Sequence, residues 1–519
     1  MQDTLSFDVA QWLVSRIPQN VEIAWDDYWD DYQAERSRGS TWPRFIPLLE
    51  EDADVEANIP WTRWLDAARG RHNPLPWLLT RFAQLPRPAR EQAELYDSLR
   101  LPIRWRFDNS KLSNSKISRT RNWIRPRRFY FHRSPLIHRR EVSLAHEFAR
   151  PLPKFEKLSL AAGESIMQAI REVMVVRYRE LYGTTFGDPR SVVRVHLGRG
   201  VVMYFWGLHP DRRLPLRAYL AGYTLKNGVP INYIEAIGLC EWIEVGFNTF
   251  YTYRQGETAW IYSQALRCLR ALTGAKCISI YPYQIGQNND EAIDSGAFWF
   301  YRKLGFRPGR PELRQLCERE EKRIAANPKY RTPRRTLKRL AETHMFYELR
   351  SPEENIMAPG NVYAGINILR RRDSGAKRFV SGHAFRHAEP VTKSSSALAA
   401  EGTPGPWDTF STRHLGLLIN RRMAEKFDGD SQKIRQASTT AVTRSLNIKP
   451  ARWTPAQQRS LENWLLILAL IPDLARWSPD EKHQLVEIIR AKSARNEMHY
   501  LHQTQNQPRL RAELLRLGS

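Results

Sequence analysis

The chain has 519 residues, 42% of them hydrophobic, and a formal net charge of +25 from 80 Lys and Arg against 55 Asp and Glu. This length predicts two to four domains, and the apolar content is high enough for packed cores, which excludes global disorder. The positive balance favours an acidic partner, such as a nucleotide-like cofactor, nucleic acid or an anionic surface. The alternative is a protein that is simply basic.

The cysteines do not form a metal-binding or disulfide pattern. No pair has CxxC spacing and no histidine cluster accompanies them, so no metal is expected and a reducing cytoplasm is the natural location. The first residues lack a basic segment followed by an apolar one, so no signal peptide is predicted. The longest apolar run, 464–472, is shorter than the roughly 20 residues that cross a bilayer. We therefore expect a cytoplasmic protein with no membrane partner.

The first 157 residues divide into two predicted regions. Residues 1–100 have helical spacing interrupted by prolines, which predicts a region of short amphipathic helices, with a solvated acidic stretch at 26–32. Residues 101–157 form a basic, aromatic-rich arm or linker, in which 101–140 carry twelve Lys and Arg against one Asp. Such a mixture suits phosphate contact and base stacking. Because no nucleic-acid-binding fold signature accompanies it, an arm anchored by its aromatic side chains is the preferred interpretation.

Residues 158–312 predict an α/β domain. Strand-like runs cover 192–197, 201–206, 231–239 and 242–250, and a helix over 258–272 that stops at Gly274, a strand over 276–282 and a helix over 290–304 follow. This order fits a central mixed sheet flanked by helices.

The rest of the chain predicts a helical extension over 313–369, a linker over 370–406 and a helical domain over 407–519. Two helix starts in the last region, Thr454 to Gln457 and Ser478 to Glu481, have capping-box spacing. The predicted class is therefore α/β, with α-helical N- and C-terminal regions.

The most informative motif is SGAFWFYRKLGF, residues 295–306, in which Ala297 precedes Tyr301 by four residues and Leu-Gly-Phe follows. It resembles the last helix-to-strand turn of the GNAT family, the acyl-CoA-dependent N-acetyltransferases. The resemblance implies a GNAT-like domain over 158–312, an Ala297 that lets the helix pack close to the cofactor arm, and a Tyr301 hydroxyl directed at the thioester sulfur. It places Gly305 in a left-handed turn after the helix, and Phe306 at the start of the next strand.

The resemblance also implies a pyrophosphate-binding turn before the helix at 258. In the family this turn has the pattern Gln/Arg-x-x-Gly-x-Gly/Ala and offers successive backbone amides at a helix N-terminus. Here Gly256 fits the central glycine, whereas Tyr253 and Thr258 depart from the pattern. The family often has an asparagine seven residues before the tyrosine, where this chain has Asp294. The candidate cofactor-binding residues are Arg254, Gln255, Gly256, Glu257, Thr258, Ala259, Asn289, Asp294 and Ala297.

Three glutamates are candidates for the general base: Glu235, Glu241 and Glu244. Strand alternation predicts that Glu235 and Glu241 share one face and that Glu244 takes the other. A buried glutamate would need a raised pKa to act as a base, and the choice among the three stays open, with Asp188 and His196 as weaker alternatives. The segment 226–235, with a tight turn at Asn227-Gly228, is expected to line the acceptor cleft.

The sequence therefore predicts an acyl-CoA-dependent N-acyltransferase whose cosubstrate is acetyl-CoA or another acyl-CoA and whose acceptor is an unidentified amine. The alternative is a non-catalytic nucleic-acid- or protein-binding protein that uses residues 101–140, with the GNAT-like domain as a scaffold or an acyl-CoA sensor.

Overall fold

The computed structural model describes most of the chain. The described residues are 2–25, 69–106, 126, 128–176, 181–250, 253–254, 256–327, 329–349 and 405–519. The acidic stretch 26–32, half of the basic segment 101–140, residue Gln255 and nearly all of the predicted linker 370–406 lie outside these ranges.

The N-terminal region combines helices with a small sheet that the helical periodicity did not predict. Three short strands pair antiparallel in the order β1-β3-β2: β1 (Gln2–Thr4), β2 (Val21–Ile23) and β3 (Pro102–Trp105). Three helices pack with them: α1 (Phe7–Arg16), α2 (Pro74–Ala83) and α3 (Ala89–Leu99). Their apolar faces form one core that includes Leu13, Phe82, Tyr96 and Trp105. Burial of these large side chains stabilises the region.

A nine-stranded mixed sheet dominates the fold and confirms the predicted α/β class. Its order is β11-β12-β10-β9-β8-β7-β6-β5-β4. The strands are β4 (Phe155–Lys157), β5 (Val193–Gly198), β6 (Val201–Gly207), β7 (Ala218–Lys226), β8 (Val229–Leu239), β9 (Trp242–Thr249), β10 (Cys277–Ile280), β11 (Arg307–Pro308) and β12 (Met345–Glu348). Asn227 and Gly228 have φ of 50° and 78° between β7 and β8, which confirms the predicted tight turn.

Three helices precede or accompany the first strands of this sheet: α4 (Leu144–Ala149), α5 (Leu160–Val176) and α6 (Tyr182–Thr185). The next helix, α7 (Thr258–Thr273), connects β9 to β10 and ends at Gly274, whose φ of 69° confirms the predicted stop. Because β9 and β10 run parallel, a crossover helix is required between them. The sheet-facing side of α7 carries buried Ala259, Tyr262 and Leu266.

The parallel pairing of β9 and β10 is short. It extends only from Trp242 opposite Cys277 to Glu244 opposite Ser279, whereas β9 continues to Thr249. After β10 the chain turns into α8 (Pro282–Ile285). Among the described residues, no strand therefore lies along the β10 side of β9 beyond Glu244. This side of β9, from Val245 to Thr249, is a free strand edge.

The predicted helix over 290–304 is two helices, α9 (Asp290–Asp294) and α10 (Ala297–Arg302). The break falls at Gly296, which has a φ of 69°. The positive φ of Gly305, 103°, confirms the left-handed turn predicted after the motif, and β11 begins one residue after Phe306.

The predicted helical extension over 313–369 contains a strand as well as helices. Its described helices are α11 (Pro311–Ala326) and α12 (Arg334–Leu340), after which β12 pairs antiparallel with both β10 and β11. A four-residue strand next to charged helices has too little alternation to be recognised from periodicity alone.

The C-terminal region is helical, as predicted. Its helices are α13 (Thr412–Phe427), α14 (Ser431–Leu446), α15 (Pro455–Leu468), α16 (Pro479–Ala491), α17 (Glu497–Gln505) and α18 (Pro508–Gly518). Both predicted capping boxes are present, at Thr454 with Gln457 and at Ser478 with Glu481. Each satisfies backbone N–H groups that the first turn of a helix leaves unpaired.

The chain divides into two compact units. One comprises Met1–Phe131, Phe155–His209 and Ala221–Ile231, and the other comprises His132–Lys154, Pro210–Leu220 and Asn232–Ser519. Within the described ranges, no helix is both long enough and apolar enough to cross a membrane.

Candidate functional site

The free edge of β9 is completed by a side chain instead of a strand. The backbone N–H of Phe247 donates to Oε1 of Gln284 at 3.3 Å, and Nε2 of Gln284 donates to the carbonyl oxygen of Val245 at 3.4 Å. Gln284 lies in α8, directly after β10 ends. Its carboxamide thus makes the two kinds of contact that a neighbouring strand would make.

Tyr301 reaches the same place from α10. Its hydroxyl donates to Oε1 of Gln284 at 3.3 Å, and its side chain is buried against the rings of Tyr262 and Phe306 at centroid distances of 5.5 and 5.8 Å. Burial raises the pKa of the Tyr301 phenol well above its ordinary value. The hydroxyl is therefore protonated at neutral pH and available as a hydrogen-bond donor.

Glu235 lies on the neighbouring strand β8, on the other face of the sheet. It is the cross-strand partner of Gly246, whereas Phe247, which contacts Tyr262 of α7, faces the opposite way. A Cβ atom placed on Gly246 would lie 2.9 Å from Nε2 of Gln284 and 3.6 Å from Cβ of Glu235. The missing side chain at Gly246 thus lets the Gln284 carboxamide approach β9 closely at the position opposite Glu235.

The electrostatics of Glu235 suit a base. Burial raises the pKa of its carboxyl group, and the hydrogen bond that it accepts from the Tyr219 hydroxyl opposes this shift without cancelling it. The carboxylate makes no ion pair among the described residues. A carboxylate with a raised pKa and no neutralising cation accepts a proton more readily than an ordinary one.

The other two glutamates are paired with cations. Glu244 contacts Arg217 at 3.4 Å and His344 Nε2 at 2.9 Å, and these contacts outweigh the effect of burial and lower its pKa. Glu241 accepts from Trp407 and Arg511, which likewise outweigh burial and lower its pKa.

The predicted assignment of faces was wrong. Glu235 and Glu244 share a face because the chain reverses at Cys240 and Glu241, where Cys240 has a φ of 52°. Glu241 lies in this reversal, at the opposite end of β9 from Thr249. The weaker candidates also have other surroundings, since Asp188 pairs with Arg190 at 2.9 Å and His196 is exposed on β5.

The turn before α7 places most of the predicted phosphate-binding residues together. Gly256 is exposed, Thr258 begins the helix and donates its hydroxyl to the Arg254 carbonyl at 3.1 Å, and Ala259 is buried in the first turn. The guanidinium of Arg254 donates to Glu291 at 2.6 Å and to the Thr249 carbonyl at 3.2 Å. The first-turn amides of α7 have no partner within the helix and are suited to an anion.

Glu257, between Gly256 and Thr258, departs from a simple anion site. Its side chain is buried, and its carboxylate accepts the backbone N–H of Ile137 at 3.1 Å and lies 3.8 Å from His132 Nε2. It therefore holds the segment 132–137 at the start of α7. The carboxylate is turned into the protein, which leaves the exposed Gly256 side of the turn open to an anionic group.

The remaining predicted residues have structural roles. Asn289 caps α9 by accepting the Ala292 amide at 3.1 Å, and Asp294 is exposed and paired with Arg334. Ala297 is the first residue of α10 and is half-buried. The structure thus places Tyr301 at the β9 edge, Glu235 on β8 opposite Gly246, and Arg254 and Gly256 to Ala259 at the start of α7.

A basic cluster near the start of α7 was not predicted. Arg139 follows Ile137, whose N–H donates to Glu257, by two residues. Its Nη1 donates to the Lys303 carbonyl oxygen at 3.4 Å. Two residues span at most about 7 Å. Burial, followed by the charges of Arg139 and Arg331, lowers the pKa of Lys303. The charges of Arg139, Lys303 and Arg331 thus lie close to one another, on a segment whose residue Ile137 contacts the first turn of α7.

Sequence reasoning also missed Gln284, Gly246 and Tyr219. A glycine inside a strand can indicate a close approach of other groups, so Gly246 carried a usable signal. Gln284 and Tyr219 carried none, because their importance depends on contacts between distant parts of the chain.

In the described part of the chain, no group of three His, Cys, Asp or Glu side chains could hold a metal ion. Comparison of the chain with protein-family models, with curated proteins and with solved structures gave no match.

Proposed function

We propose that the protein is an acyl-CoA-dependent N-acyltransferase of GNAT type, and that the β9 edge at Gly246 is its reaction site. The observation that carries the proposal is the placement of a buried tyrosine at this edge and of a carboxyl group of raised pKa on the neighbouring strand β8, opposite Gly246. A base and an acid are the two groups that acyl transfer from a thioester to an amine requires.

In this mechanism Glu235 accepts the proton that the amine loses as its nitrogen bonds to the thioester carbon. Tyr301 donates its proton to the sulfur as the carbon–sulfur bond breaks. The step leaves Glu235 protonated and Tyr301 ionised, and proton exchange with solvent restores both. Glu244 is a poorer base, because Arg217 and His344 stabilise its ionised form.

The surroundings of α7 support a cosubstrate rich in phosphate. The first-turn amides, the exposed Gly256 and the cluster of Arg139, Lys303 and Arg331 together offer hydrogen-bond donors and positive charge. Acetyl-CoA or another acyl-CoA carries both the thioester and the phosphates. The acceptor is an amine whose identity the site does not specify.

The test is isothermal titration of the protein with acetyl-CoA and with a longer acyl-CoA. A side chain at Gly256 would lie 3.3 Å from the Tyr253 carbonyl oxygen, a tight contact that Gly256→Glu shares with the control Gly256→Ala, so the two variants differ by the carboxylate at the turn. Wild type and the control Gly256→Ala should bind with micromolar affinity, and Gly256→Glu should not bind. Absence of binding of both thioesters to the wild type would refute the proposal.

A nucleic-acid-binding role for residues 101–140 is the second candidate, supported by one feature. The side chains of Phe129 and Phe131 are 45% and 76% exposed, whereas the backbone of Tyr130 between them is held by the side chain of Asn227 in two hydrogen bonds of 2.8 Å. Exposed rings on an anchored segment suit base stacking. Phe131→Ala should then weaken the binding of single-stranded oligonucleotides in a fluorescence-anisotropy titration. Binding that is equal in both proteins would exclude this role.

A further inference from the structure

One side chain, that of Gln284, occupies three hydrogen-bonding groups at the β9 edge of the proposed reaction site. Two donors, the Phe247 backbone N–H and the Tyr301 hydroxyl, converge on Oε1 of Gln284, each at 3.3 Å. Nε2 of the same side chain donates to the Val245 carbonyl oxygen at 3.4 Å.

Donors that converge on one oxygen are the arrangement that stabilises a carbonyl oxygen during acyl transfer. The oxygen they hold here belongs to the protein itself. An acyl thioester brought to the β9 edge would need the same donors, the Phe247 N–H for its carbonyl oxygen and the Tyr301 hydroxyl for its sulfur, and the same space. We infer that the Gln284 carboxamide is an internal occupant of the acyl-transfer site, and that an acyl thioester binds by displacing it. This inference rests on the proposed function.

The contacts of Gln284 are compatible with displacement. All three hydrogen bonds are at or beyond the long end of the normal range, so the carboxamide is held weakly. The side chain is half-buried and lies in a four-residue helix, beside Tyr283, which is exposed to 51%. A change of side-chain rotamer toward solvent would free the edge without moving a strand.

An internal occupant lowers the apparent affinity for a ligand by the fraction of molecules in which the site is free. Gln284→Ala removes the occupant and leaves the backbone of β9 intact. If the carboxamide is held by the net free energy of one typical hydrogen bond, its removal should tighten acetyl-CoA binding about five-fold. Gln287→Ala is the matched control, because Gln287 is exposed in the loop that follows α8.

Titration of the three full-length proteins with acetyl-CoA tests the inference. Tighter binding by Gln284→Ala, with Gln287→Ala equal to the wild type, is the expected result. If the wild type binds acetyl-CoA and Gln284→Ala binds it equally or more weakly, the inference is wrong and the proposed function stands. If none of the proteins binds acetyl-CoA, both are wrong.

A second measurement needs no ligand. Backbone amide hydrogen exchange at Phe247 should be faster in ligand-free Gln284→Ala than in the wild type, because the mutation removes the acceptor of this N–H. Equal exchange rates would show that Gln284 does not occupy the edge in solution, and would overturn the inference independently of any assay of binding.

Discussion

Replacement of Glu235 by glutamine tests the proposed base most directly. The carboxamide keeps the size of the side chain but cannot accept the proton of an amine. General-base catalysis contributes about 10²- to 10⁴-fold to the rate, so kcat/KM should fall by this factor, which equals about 2.7–5.4 kcal/mol of transition-state stabilisation. The assay is thiol release from acetyl-CoA with the best acceptor from a panel of primary amines.

The activity should depend on pH through the ionisation of Glu235. Glu235 must be ionised to act, and burial raises its pKa above the ordinary 4.5, so activity should rise with pH through a midpoint above 4.5. Tyr219→Phe removes the hydrogen bond that opposes this shift, so it should move the midpoint to higher pH. Glu235→Gln should abolish this acidic limb. Glu244→Gln, the control on the same face, should retain it.

The same substitution should affect stability in the opposite direction. The pKa of Glu235 is raised in the folded state, so its contribution to stability is fully present below the unfolded pKa and is lost as pH rises through the folded pKa. Glu235→Gln should therefore raise the melting temperature at pH 8 and leave it nearly unchanged at pH 4. A mutant with the wild-type pH profile and unchanged melting temperatures would refute the assignment of Glu235 as the base.

Two further predictions concern the phosphate contacts and the C-terminal helices. Arg139→Gln and Lys303→Gln should each raise KM for acetyl-CoA. They should not raise KM for an acetylated pantetheine, because this substrate lacks the nucleotide and its phosphates. Arg140→Gln, at an exposed neighbouring position, should change neither value. Arg511→Ala leaves its half-buried carboxylate partner without a cation, so it should cost about 1–3 kcal/mol in urea unfolding. Arg516→Ala, which breaks an exposed pair on the same helix, should cost less than about 1 kcal/mol, and equal losses would contradict this reasoning.

Local signals in the sequence predicted local structure well. The left-handed glycines at positions 274 and 305, the turn at Asn227-Gly228 and both capping boxes all lie where their residue types predict them. These features depend on backbone conformations that few residues other than glycine and asparagine adopt, or on side chains that bond amides three residues away. Most strands and helices in the centre of the chain followed from the same kind of evidence, whereas β7 (Ala218–Lys226) was not predicted.

Features that depend on distant contacts were not predictable in this way. The strand β12 joins the sheet after two charged helices, and the strands of the N-terminal sheet have only three or four residues each. The face assignment of Glu241 failed because alternation does not continue through a chain reversal. The role of Gln284 depends on β10 ending several residues before β9 does, a difference that composition and periodicity do not reveal.

The β9 edge combines three arrangements that each disfavour folding. In the part of the chain that the structure describes, one edge of β9 lacks a strand partner from Val245 to Thr249, a glycine interrupts this strand, and a carboxyl group has lost solvation without gaining a cation. Elsewhere on the same sheet, Glu241 and Glu244 are neutralised by arginine, so the fold is able to pair its buried glutamates. Local rules are most often broken where a protein acts on a ligand. The coincidence of the three exceptions beside a protonated tyrosine therefore favours a reaction site here over a defect of packing.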